Sequence, residues 1–194
     1  MKQKIIENLK TKIIGKNIII FDKIDSTQTE AKKLAKKGIE NGTIIIADEQ
    51  TNGMGTHGRT WYTKKGKNIA FTIIIFPECN INDLKNFTFD IANCIVDSIY
   101  NISNEKLNIK IPNDIMINNK KVGGILTQVI TEGEKIKYIL IGIGINVNEA
   151  DFSEEIKDIA TSLKIELKKD FQREEILAEI CNLFEKYCIE KRII

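Results

Sequence analysis

The sequence has one histidine, His57, and four cysteines, Cys79, Cys94, Cys181 and Cys188, with no CxxC among them. That spacing offers neither a zinc ligand set nor a disulfide framework, so free thiols in a cytoplasmic protein are expected. No apolar run approaches the roughly eighteen residues of a membrane span. The opening Met1-Lys2-Gln3-Lys4 leads into an amphipathic segment instead of a signal peptide. Charge of one sign is lacking too. Twenty-nine basic and 27 acidic residues are interspersed to a net +2, which gives no ground for expecting DNA or a membrane as partner. Repeats and low-complexity linkers are absent. What remains is 194 residues, 42% apolar and 29% charged, the make-up of one globular domain over residues 1–194.

The most unusual stretch runs from Asp48 to Trp61 and carries Gly53, Gly55 and Gly58. Such glycines permit positive φ and let backbone approach something flat or anionic. Successive N–H groups and the planar fork of Arg59 suit phosphate or carboxylate. The spacing Gly53-x-Gly55-x-x-Gly58 formally matches a dinucleotide-binding fingerprint, but that fingerprint needs a helix directly after it. Trp61-Tyr62-Thr63, a lysine-rich turn and a β-rich run follow instead. A mobile ligand-covering loop is the better expectation.

Along the chain, Ile5, Ile6, Leu9 and Ile13 predict a helix over residues 4–13, stopped at Gly15. Asn17 to Phe21, Thr43 to Ala47 and Asn68 to Phe76 predict strands. Between the first two, Thr27 and Glu30 are spaced as a capping box for a helix that buries Ala31, Leu34 and Ala35. A strong apolar stripe predicts a helix from Leu84 to Tyr100. Lys121 to Thr131 and Lys135 to Ile145 predict a β-hairpin turning at Glu132-Gly133-Glu134, and a last amphipathic helix follows Asp170. The implied class is α+β, with a mixed, largely antiparallel sheet and helices packed on one side.

Three further clusters have chemical content. Asp25-Ser26-Thr27 sets hydroxyls at a helix start, for capping or for a polar ligand edge. Lys110-Ile111-Pro112-Asn113-Asp114 is either ordinary turn chemistry or a lysine and carboxylate placed for a phosphate and its Mg²⁺. Lys120-Lys121-Val122-Gly123-Gly124 puts a glycine pair in a strand, beside solvated lysines or a close-lying ligand. A comparable glycine pattern, Gly142-x-Gly144-x-Asn146-x-Asn148, ends the partner strand.

In their order and spacing these motifs resemble the catalytic domain of biotin protein ligases, over roughly residues 17 to 190. Ala160-Thr161-Ser162-Leu163 looks like a segment of that family as well. The resemblance implies a class II synthetase-like fold and a two-step reaction. Biotin and ATP give biotinyl-5′-AMP, and the biotinyl group then passes to a lysine of a biotin carboxyl carrier domain. By similarity, Ser26, Thr27, Gln50, Gly53, Lys121 and Gly124 would bind biotin. Gly55, Thr56, Gly58, Arg59, Trp61, Asn113 and Asn146 would hold the nucleotide, and Asp114 would ligate Mg²⁺. Lys121, Arg59 and Lys110 are the expected catalytic cations, since phosphoryl transfer needs alignment and charge stabilisation above all. A homodimer is compatible with the resemblance.

Several positions depart from the family pattern. Met54 and Thr56 stand where the glycine loop usually carries arginines, Ile111 where a tryptophan precedes Pro-Asn-Asp, and His57 falls at a variable place. A neutral hydroxyl in place of a charged fork implies looser retention of the adenylate. Residues 1–16 are too few for an N-terminal winged helix, and the last helix leaves no room for a C-terminal SH3-like barrel. Two alternatives stay open at this point. One is a lipoate- or octanoyl-transferring relative with an apolar tunnel, and the other a non-catalytic biotin or adenylate binder.

Overall fold

The computed structural model describes every residue from Met1 to Ile194. Its seven strands are β1 (Ile18–Ile24), β2 (Ile44–Gln50), β3 (Ile69–Ile75), β4 (Asn108–Lys110), β5 (Asp114–Ile117), β6 (Lys120–Glu132) and β7 (Lys135–Ile145). They form one sheet in the order β1-β2-β3-β7-β6-β5-β4. Only β1 and β2 pair parallel, joined through α2 (Thr27–Lys36), and the other neighbours are antiparallel. The remaining helices are α1 (Lys2–Asn8), α3 (Phe87–Ser103), α4 (Leu163–Leu167) and α5 (Arg173–Glu190).

The class is α+β with a mixed sheet, as the sequence implies, but the helices do not all lie on one side. Odd-numbered residues of β7, such as Ile139, Ile141 and Ile143, join the main core with α1, α3 and α5. Leu140 points the other way, with Ile45 and Ile74, against Ala31 and Ala35 of α2. Period-two alternation in a sheet apolar on both faces requires cover on both. The runs Ile44-Ile45-Ile46 and Ile73-Ile74-Ile75 carry that signal.

Two local expectations are corrected. The first helix ends at Asn8, not near residue 13. Buried Glu185 of α5 accepts hydrogen bonds from the N–H groups of Lys12, Ile13 and Ile14 at 2.5, 2.8 and 2.7 Å. A carboxylate from across the fold thus takes donors that a longer helix would have satisfied itself. The second concerns α2, whose N-cap is Ser26, with Oγ accepting from the Gln28 N–H at 3.2 Å. Thr27 and Glu30 form no capping box, because the Thr27 hydroxyl is turned to Gln50.

Candidate active site

A cavity of about 1040 Å³ lies at the end of the sheet face that α2 leaves uncovered. Its floor includes Ala70, Gly124, Leu126, Gly142 and Gly144. Ala70, Gly142 and Gly144 share strand parity with Ile74 and Leu140, and Gly124 and Leu126 pair across from Gly144 and Gly142. The volume slightly exceeds the roughly 300–1,000 Å³ of sites for one drug-sized ligand. The glycines make a platform that this chain's own side chains rest upon. A Cβ on Gly144 would overlap the Trp61 indole, and one on Gly142 would lie 2.6 Å from Gln28 Oε1.

One end of the cavity is a buried polar recess. Thr27 donates to Gln50 Oε1 through its N–H at 2.9 Å and its hydroxyl at 3.2 Å. Gln50 Nε2 donates onward to Thr63 Oγ1 at 3.1 Å. Below them, Thr72 Oγ1 of β3 lies 2.9 Å from Thr27 Oγ1 and 3.1 Å from Gln28 Oε1. Gln28 Nε2 donates to Gln128 Oε1 at 3.2 Å. The parallel β1–β2 pair explains the convergence, because Ser26 and Thr27 follow the C-terminal end of β1 and Gln50 closes β2 beside it. Gln28, Thr72 and Gln128 escape a reading of the sequence. Their one signal is a polar residue within the otherwise apolar run Ile69-Ala70-Phe71-Thr72-Ile73-Ile74-Ile75, which β propensity explains equally well.

The other end holds Lys121, whose Nζ pairs with Asp114 Oδ1 at 2.6 Å and lies 5.6 Å from the centroid of the Trp61 ring. A strap of residues 159–163 fixes the Lys121 backbone. The Lys121 N–H donates to Ile159 O at 2.8 Å, and the Thr161 N–H donates to Lys121 O at 2.9 Å. Asn146 spends its amide on this strap, donating to Thr161 O at 3.0 Å, and Asn113 donates to Ile125 O at 3.0 Å. Glu166 anchors the strap through hydrogen bonds from Thr161 Oγ1 at 2.6 Å and Asn118 Nδ2 at 2.7 Å. Desolvation alone would raise its pKa. These two bonds and the charges of Lys120 and Lys168 outweigh it, so the carboxyl titrates below its ordinary range.

The glycine loop forms a short hairpin over this space. Gly55 N–H donates to Arg59 O at 2.7 Å, Trp61 N–H donates to Gly53 O at 2.8 Å, and Met54 bridges Thr60. One 3₁₀ turn covers Thr56–Gly58, with His57 exposed at φ 56°. Arg59 folds back onto the loop, its Nη2 donating to Thr56 Oγ1 at 2.8 Å and its Nε to Thr56 O at 3.2 Å. The Trp61 Nε1 is buried with no acceptor, so a ligand carrying one would satisfy it.

Most of the expected site residues meet in this cavity: Ser26, Thr27, Gln50, Gly55, Thr56, Arg59, Trp61, Asn113, Lys121, Gly124 and Asn146 all line it. Four stand outside the lining. Gly53 is packed beneath Trp61, and Gly58 is exposed at the loop tip. Asp114 sits behind Lys121, and Lys110 is exposed at the end of β4, in register with Asp114. No group of three acidic, histidine or cysteine side chains is placed to hold a metal ion. Asp114 is a single carboxylate already paired with Lys121, too few ligands for a resident ion. All four thiols are free and none lines the cavity. Burial pushes Cys94 up to about 12 and the others up as well, so none is poised as a nucleophile.

Residues 20–146 match the model of the Biotin/lipoate A/B protein ligase family. The chain is similar to the bifunctional ligase/repressor BirA of Bacillus subtilis, 37% identical over 180 residues. That match takes in 92% of this chain and 55% of the relative, so the chain spans little more than half of that protein's length. A human biotin–protein ligase is 28% identical over 191 residues, covering 93% of this chain and 26% of the relative. Among solved structures, the Aquifex aeolicus biotin protein ligase in complex with biotin and ATP superposes with a TM-score of 0.77 at 30% identity. It covers 91% of this chain and 72% of that one. The chain therefore belongs to the Biotin/lipoate A/B protein ligase family.

Proposed function

We propose that this chain activates biotin with ATP and transfers it to a lysine of a biotin carboxyl carrier domain. The observation that carries this is one cavity with a hydrogen-bonding recess at one end and Lys121 at the other. A ureido head bearing both donors and acceptors suits the recess, and a carboxylate at the far end of an acyl chain suits the ammonium. In the first step a carboxylate oxygen of biotin attacks the α-phosphorus of ATP, and the bond to the leaving pyrophosphate breaks. Lys121 neutralises the carboxylate and then the acyl phosphate, exchanging Asp114 for the substrate. Arg59 would turn from Thr56 toward the phosphate once an anion competes for it. Asp114, once released by Lys121, would offer an oxygen to a Mg²⁺ bound with the nucleotide, which would supply charge neutralisation. In the second step the carrier lysine's amine attacks the acyl carbon, expels AMP and loses a proton. Closure of the hairpin keeps water from the anhydride.

The recess favours a ureido head over a lipoate or octanoyl chain, because Thr27, whose N–H already serves Gln50 Oε1, can turn its hydroxyl to a ligand carbonyl, and an apolar chain offers it no acceptor. A cytoplasmic setting and a homodimer remain part of the proposal. No helix is long and apolar enough to cross a membrane. Pyrophosphate release dependent on both biotin and ATP tests the first step without a choice of acceptor. Release with lipoate but not biotin would replace this reading by the lipoyl one. Biotin binding without release would make the chain a binder.

A further inference from the structure

The fully buried hydroxyl in the centre of β3 has a use that packing does not require. Thr72 is 0% exposed between Phe71 and Ile73, where valine has nearly the same shape. A buried hydroxyl without a purpose costs stability. Thr72 Oγ1 is within reach of two acceptors, Thr27 Oγ1 at 2.9 Å and Gln28 Oε1 at 3.1 Å, but it carries one hydrogen. Two proton arrangements follow. In one, Thr72 donates to Thr27, which then turns its own hydrogen toward Gln50 or the cavity. In the other, Thr72 donates to Gln28 and accepts from Thr27, which then shows the cavity only lone pairs. The Gln50 Oε1 already receives the Thr27 N–H at 2.9 Å, so a ligand carbonyl can take over the hydroxyl's hydrogen without orphaning Gln50.

From this we infer that Thr72 is a positioning residue that sets the donor direction of the Thr27 hydroxyl, and so selects a cyclic urea-type head group over an apolar acyl chain. Gln28 is the counterweight. Its amide is held over Gly142 by Gln128 and offers Thr72 a second acceptor. A head group with a carbonyl acceptor draws the Thr27 hydrogen outward and settles the pair in the first arrangement. An alkyl chain gives no such preference. The inference rests on the ligase reading for the identity of the ligand, though the hydrogen-bond pattern belongs to the chain itself.

The test uses the full chain with Thr72→Val and Thr72→Ser. Affinities for biotin and for octanoate are measured by calorimetry and by the fluorescence of Trp61, the only tryptophan. Thr72→Val should weaken biotin about tenfold, the effect of one lost or misdirected buried hydrogen bond. Octanoate affinity and the KM for ATP should hold, and Thr72→Ser should restore biotin affinity. Unchanged biotin affinity in Thr72→Val overturns the role of Thr72 and leaves the ligase reading standing. Equal losses for biotin, octanoate and ATP, unrescued by serine, overturn it also, since they mark a merely structural threonine. A wild type that binds no biotin overturns both.

Discussion

The two ends of the cavity are built on different plans. The recess draws on β1, α2, β2, β3, β6 and β7, its polar side chains are largely buried, and each finds a partner inside the chain. The Lys121 end uses a hairpin, a strap and a glycine loop, and its cations are spent on internal contacts, Lys121 on Asp114 and Arg59 on Thr56. The difference teaches a division of labour. On the proposed reading, recognition is built before a ligand comes, whereas the charged end exchanges its own pairs for the ligand's. Side chains that rest in such pairs keep their charge available without exposing a bare ammonium.

The sharpest way to break this division is to remove the ammonium. Lys121→Ala should lower pyrophosphate release about 100- to 1000-fold, the usual worth of a preorganised charge. Biotin affinity should fall far less, and melting should drop because Asp114 loses its partner while the protein still folds. Release near the wild-type rate would show that the lysine end is misassigned. Next in size comes the recess. Gln50→Ala leaves the Thr27 N–H without its acceptor, so biotin affinity should drop about ten- to a hundredfold at unchanged ATP affinity. Calorimetry decides, and an equal loss for both ligands would erase the distinction between the ends.

Smaller effects are expected in the loop. Thr56 holds Arg59 back through a neutral hydroxyl, and a second guanidinium in its place would grip a phosphate more firmly. Thr56→Arg should reduce biotin transfer to a bystander such as serum albumin several-fold at matched pyrophosphate release. Equal labelling by both enzymes would locate retention elsewhere. In the wild type, amide exchange over residues 53–60 should slow on adding biotin with ATP, and an unaltered rate would count against closure.

The smallest effect concerns pH. Glu166 titrates below the ordinary carboxylate value of 4.5, so its contribution is complete above that value. It is lost as pH falls through the lower folded value. Glu166→Gln should therefore cost a little stability at neutral pH and flatten the acid side of the melting profile. The comparison is thermal melting from neutral pH to below the carboxylate range. A parallel acid limb in both proteins would show the strap to be held by other contacts.

Much of the charged end was legible because its motifs are local. Gly53 to Trp61, Lys110 to Asp114 and Lys121 to Gly124 are each contiguous, and glycine, proline and lysine carry their meaning at short range. The recess was legible only at Ser26, Thr27 and Gln50. Thr72 and Gln28 acquire their role from side-chain contacts between residues 44 to 100 positions apart in sequence, and in isolation they look like ordinary strand and helix residues. The first helix was overextended for a related reason, since the carboxylate that ends it sits at Glu185. Arg59 lines the cavity, and its resting partner Thr56 is visible only in three dimensions.

The dispersed origin of the recess also bears on how the chain acquires its shape. The β5–β6 hairpin that places Asp114 and Lys121 closes over a few residues, whereas the recess exists only once segments near residues 27, 50, 72, 126 and 142 have met. Contacts between such distant segments form late and lower the folding rate. A molecule that fills the recess therefore binds the completed native state and nothing less complete. By mass action such a ligand at a hundred times its dissociation constant adds about 2.7 kcal/mol to that state. On the proposed reading, biotin should therefore raise the melting temperature and slow proteolysis of this chain.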